Sequence, residues 1–203
     1  METKKFKCEC CGMESEIPVN ENNLGFDVDY TTLINSRSEF FDLVDMCPKC
    51  GYVSLFDNGI SDEMADFVKS EEYQSIVSNQ DIETDLKKWI LLGMLSELDE
   101  NYTEAAIEYM KVYDYLELKE MPMDDRFIKK AVECFLKATD ENQSFMDAFF
   151  AVDCLRRDGE FEKAQSFLHT IKDTFEGNPV EYLIEKEQMW LDLHITEKRH
   201  FDI

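Results

Sequence analysis

The chain is 203 residues long and carries 45 acidic against 21 basic side chains, a formal net charge of −24. So large an acidic excess disfavours bulk nucleic acid and anionic membrane as partners, because both are bound through Lys and Arg neutralising phosphates. With 44% hydrophobic and 12% aromatic residues the chain can still bury a core, which argues against wholesale disorder.

The N-terminus, Met1 to Lys7, runs into Cys8 rather than into an apolar leader, and no later apolar run approaches the ~20 residues that span a bilayer. A cytoplasmic protein is expected. The first element of chemical interest is Cys8-Glu-Cys-Cys-Gly12, and the second is Cys47-Pro-Lys-Cys-Gly51. Each reads C-x-x-C-G. Two residues between thiols let one tight turn aim both sulfurs at one ion, and the following glycine supplies the positive φ that such a turn often needs. Together Cys8, Cys11, Cys47 and Cys50 make a four-thiolate tetrahedron suited to one structural Zn²⁺, with no coordination position left open for catalysis. Cys10, beside a ligand, reads as a spectator or as an alternative to Cys8 or Cys11. Redox chemistry would need only one such pair, set near a βαβ pattern that the sequence does not show.

The 35 residues between Cys11 and Cys47 exceed the 15–20 of a compact finger and should hold structure of their own. Ile17 to Val19, Phe40 to Val44 and Tyr52 to Phe56 read as strands, and Asn20 to Gly25 as a turn, which gives the plan of a zinc ribbon with an enlarged hairpin. From Ile60 onward apolar residues recur at three and four. Helices are predicted over 62–79, 84–99, 103–119, 124–139, 144–157, 161–175 and 179–194, with Ser61 and Thr84 as N-caps and Pro122 and Pro179 as breaks. Cys134 and Cys154 fall in apolar helical patterns and should be buried thiols.

The helices share a pattern. Trp89, Leu92 and Gly93 are followed at fixed distances by Tyr102, Ala105, Tyr109 and Val112. Gly159 to Ala164 repeats the turn of Glu100 to Ala105; Ala148, Ala151, Val152 and Leu155 take the first-helix packing positions; and Ala131, Phe135 and Ala138 form a further second-helix set. This resembles the tetratricopeptide repeat, although Ala148 and Val152 replace its large residue and its glycine. The paired C-x-x-C-G knuckles, the Asp27-Val-Asp-Tyr30 segment and the acidic helical repeats together resemble a bacterial protein family without an assigned activity.

The expected fold is therefore α+β: a zinc-ribbon-like module of short antiparallel strands over 1–59, a connecting helical segment over 60–83, and a tetratricopeptide-like all-α domain over 84–203. The resemblance implies a groove for a protein or peptide partner, lined by Ile90, Leu91, Met94, Phe149, Phe150, Asp153 and Arg156. Phosphate loops, nucleophile elbows and zinc-protease helices are missing from the sequence, and His169, His194 and His200 show no ligand spacing, so a non-enzymatic interaction protein is expected. Two other readings are a nucleic-acid-associated or regulatory ribbon using Lys4, Lys5, Lys7, Arg37 and Lys49, and a redox-sensitive thiol switch.

Overall fold

The computed structural model describes residues 3–18, 44–54, 59–174 and 181–197. Within them the chain is α+β: two short antiparallel strand pairs around the cysteines, followed by eight helices. The chain divides into two units, residues 1–99 and 100–203, so the helix that opens the predicted helical domain belongs to the first unit.

In the first unit, β1 (Thr3–Lys7) pairs with β2 (Glu14–Pro18) in the register Thr3↔Pro18 to Lys7↔Glu14. β3 (Asp45–Met46) pairs with β4 (Val53–Ser54). A cysteine knuckle closes each hairpin. Of the predicted strands, 17–19 and 52–56 overlap β2 and β4, whereas the 20–25 turn and all but Val44 of 40–44 lie outside the described residues.

The single helix predicted over 62–79 is two. α1 (Asp62–Val68) starts on Ser61, whose hydroxyl accepts from the Met64 N–H, and stops at Lys69 because Ser70 adopts an extended φ/ψ of −64°/155°. The Ser70 hydroxyl then accepts from the Tyr73 N–H and starts α2 (Glu71–Ser78). α3 (Thr84–Leu98) is N-capped at Glu83, with Thr84 its first helical residue rather than its cap. α3 packs on α2 and β4, which is why it joins the first unit.

The second unit runs α4 (Tyr102–Leu118), α5 (Asp125–Asn142), α6 (Phe145–Arg157), α7 (Phe161–Thr174) and α8 (Glu181–Asp192), each packed on its successor over α4 to α8. Pro122 sits in the break between α4 and α5, while Pro179 is outside the described residues. Ala105, Ala131, Ala138, Ala148, Ala151 and Ala164 are fully buried, the small residues that let helix backbones approach closely. α6 is buried on most sides, as expected of a helix with neighbours all round: α5, α7 and α8 pack on it, Phe150 stacks on Phe135 at 5.5 Å, and Phe149 on Phe145 at 5.9 Å. Cys134 and Cys154 are buried here as expected. No helix among the described residues is long and apolar enough to cross a membrane.

Candidate metal centre

The two knuckles have the same backbone. In the first, Cys8 N–H donates to Met13 O (2.9 Å) and Gly12 N–H to Cys8 O (2.8 Å); in the second, Cys47 N–H donates to Tyr52 O (2.8 Å) and Gly51 N–H to Cys47 O (2.9 Å). Each turn ends on a glycine of positive φ, +67° at Gly12 and +76° at Gly51. The repeated C-x-x-C-G motif thus folds into a repeated turn, and the two turns face one another.

All four sulfurs of Cys8, Cys11, Cys47 and Cys50 lie within 4.8 Å of one another, the one such grouping of potential metal ligands among the described residues. Across the knuckles, Cys8 Sγ is 3.6 Å from Cys50 Sγ and Cys11 Sγ is 3.7 Å from Cys47 Sγ. A tetrahedron with metal–sulfur bonds of ~2.3 Å has edges of roughly 3.8 Å, so these thiols already stand at ligand separation. The donor set fits a soft, four-coordinate ion. Cys10 lies outside the group and is half-exposed.

The thiols differ in how readily they lose a proton. A hydrogen bond from the Met13 backbone holds Cys11 down at about 7, whereas burial pushes Cys8 up to about 11 and Cys50 well above the usual thiol range. Without metal, Cys8 and Cys50 carry protons at neutral pH, so a bound ion must displace at least those two. Apparent metal affinity should therefore fall steeply on acidification, by roughly a thousandfold per unit or more below neutrality, where Cys11 is protonated as well, measurable by competition with a chelator at two pH values. Affinity independent of pH would contradict this account.

Helix α2 braces the second knuckle. The buried Tyr73 donates its hydroxyl to Gly51 O at 3.0 Å, and the Gln74 amide donates to Cys50 O at 2.9 Å and to Val68 O at 2.7 Å. A Cβ at Gly51 would come within 2.4 Å of a Val77 methyl, but at Gly12 it would meet nothing within 4 Å. Gly12→Ala should consequently cost only the left-handed backbone, about 1–2 kcal/mol. Gly51→Ala should add an overpacking cost of about 1–3 kcal/mol, partly recovered by Val77→Ala. Denaturant midpoints of the metal-loaded protein would measure both, and equal losses would refute the steric argument.

The predicted groove residues are differently placed. Ile90, Leu91, Phe149, Phe150 and Arg156 are buried, while Met94 and Asp153 are half-buried. The side chains that the repeat resemblance assigns to a partner groove are thus mostly buried. Arg156 is wholly enclosed. Its Nε donates to Glu187 Oε1 at 2.6 Å, its Nη1 donates to the carbonyls of Ile195 (2.6 Å) and Glu197 (3.2 Å), Asp153 accepts from its Nη2, and its guanidinium lies 5.4 Å from the Trp190 ring. Arg157, equally enclosed, donates to Asp114 and Glu117 and lies over the Tyr113 ring. This network, absent from the sequence reading, was signalled only by two adjacent arginines in an apolar helix. Of the proposed basic ribbon residues, Lys5, Lys7 and Lys49 are exposed, and Arg37 lies outside the described residues.

Fold and site together define an α+β protein in which a four-cysteine cluster precedes an array of helices. No protein-family model matches the chain, and none of the curated proteins or solved structures matches it either. The tetratricopeptide resemblance accordingly rests on the sequence pattern alone.

Proposed function

We propose that the chain is a zinc-stabilised, non-enzymatic protein-interaction module working in the cytoplasm. The observation that carries this reading is the convergence of four thiols at tetrahedral separation, with four protein donors to complete the shell of one structural Zn²⁺. Zinc suits the site better than harder ions because every donor is a soft sulfur. All seven cysteines are free of disulfides, which accords with a reducing compartment. The helical unit supports a scaffold role through its outer surface, its inner faces being consumed in packing.

Elemental analysis of freshly purified protein should return about one zinc per chain. Cross-linking in the native cell should place a partner protein on the second unit. Protein free of zinc and iron would refute the metal assignment. A reproducible turnover abolished by one pocket substitution, with folding intact, would refute the non-enzymatic one.

A further inference from the structure

Among the described residues, the large apolar side chains that stay exposed are Met123, Tyr182, Met189 and Leu193. The last three belong together. At 42, 43 and 63% exposure they stand at i, i+7 and i+11 along α8 and the turn that follows it, within an arc of roughly 40° on a helix of 100° per residue. The opposite side of α8 is used otherwise: Leu183, Glu187, Trp190 and Leu191 are buried. The apolar stripe therefore repeats no part of the core. It spans ~16 Å of helix axis, about three turns.

One flank of the stripe is acidic, because Glu181, Glu185 and Asp192 are all exposed on the same side. The lone basic residue of α8, Lys186, lies across the Tyr182 ring at 5.4 Å. Charge selects among occupants. A second copy of a chain of net charge −24 would bring like charge against like, and an anionic lipid surface would be repelled by the same carboxylates. A helix face with its backbone already bonded offers no edge for strand addition, which leaves helix against helix as the mode of docking. The underlying surface is held rigid, since Arg156 ties the backbone after α8, at Ile195 and Glu197, to α6.

We propose that the outer face of α8, Tyr182, Met189 and Leu193 with the Glu181, Glu185 and Asp192 flank, docks a basic amphipathic helix of a partner protein. This rests on the interaction-module reading and names its surface and the chemistry of its partner. The probe is a synthetic three-to-five-turn peptide with Leu along one face and Lys on the other, compared with a peptide of equal charge in which every Leu is Ser. Fluorescence anisotropy against the full, zinc-loaded chain should show the Leu/Lys peptide binding about tenfold more tightly than its Ser counterpart. Met189→Ser with Leu193→Ser, which leaves net charge unchanged, should remove most of that preference. Glu181→Gln, Glu185→Gln and Asp192→Asn together should weaken binding and flatten its salt dependence, with the melting temperature held.

Binding that depends only on peptide charge, or that survives both sets of substitutions, overturns the proposal. So does failure of the wild-type chain to bind, as would follow if residues 198–203 of the same chain cover the face, and so does a dimer dispersed by the Ser variant. A partner cross-linked to another surface while the α8 face stays inert would leave the module reading standing and remove this one.

Discussion

Replacing Cys47 with Ser should strip the metal and unfold the knuckles of the first unit while most of the helical circular-dichroism signal persists. The sulfur of Cys47 is one of four at mutual ligand distance and faces that of Cys11 across the knuckles at 3.7 Å. Binding energy at a structural zinc site is folding energy, of the order of 10–16 kcal/mol in small zinc-dependent peptides, and a site left with three thiolates forfeits much of it. The surviving signal would come from α4 to α8, which form a separate unit. Cys47→His, which puts a nitrogen donor in place of the sulfur, should retain part of the metal. A Cys47→Ser protein that binds zinc at wild-type stoichiometry and affinity would show that the cluster is not the metal site.

Replacing Arg156 with Met should destabilise the second unit by about 3–5 kcal/mol, because it leaves the acceptors that its guanidinium bonds, Glu187, Asp153 and the carbonyls of Ile195 and Glu197, without their donor. Glu187 is wholly enclosed and its Oε2 finds no hydrogen-bond partner, so its carboxylate depends on Arg156 alone among charged donors. Around the two arginines stand Asp114, Glu117, Asp153 and Glu187, four carboxylates to two guanidiniums. Burial, reinforced by the Asp153 charge, raises Glu187 to about 8. The folded state therefore holds a proton that the unfolded chain releases near 4.5, and the contribution of this group to stability is complete below that pH and is lost as pH rises toward about 8. Glu187→Gln mimics the protonated acid. Its stability relative to wild type should improve steadily across that interval, and denaturant midpoints at several pH values would show it. A Gln variant that loses stability uniformly with pH would mean that Glu187 is ionised throughout.

The cysteine cluster was legible because its chemistry is local: C-x-x-C-G encodes both the turn and the ligand pair, and two copies need only meet. Most helices were legible for a similar reason, their apolar spacing being written within each segment. The break between α1 and α2 had a signal, Ser70-Glu-Glu repeating Ser61-Asp-Glu, which the continuous apolar spacing hid. β1 carried little strand character in Lys4, Lys5 and Lys7; its partner strand across the first knuckle sets it in place. Arg156 read as a groove residue because its partner Glu187 lies 31 positions away, and pairing at that distance leaves no periodicity to detect. Phe149 and Phe150 fitted a groove position and a core position equally well, and only the packing of α5 and α8 on α6 decides between them.

The unequal support of the two knuckles would give a metal bound by the four cysteines a preferred direction of exchange. Among the described residues, Tyr73 and Gln74 hydrogen-bond the Cys47–Cys50 turn and Val77 packs against its Gly51, whereas the Cys8–Cys11 turn closes the β1–β2 hairpin. Were a metal bound, Cys47 and Cys50 would hold it from the knuckle braced by α2, and Cys8 and Cys11 from the knuckle of the β1–β2 hairpin. Release of a bound ion would then be limited by how often the β1–β2 hairpin opens.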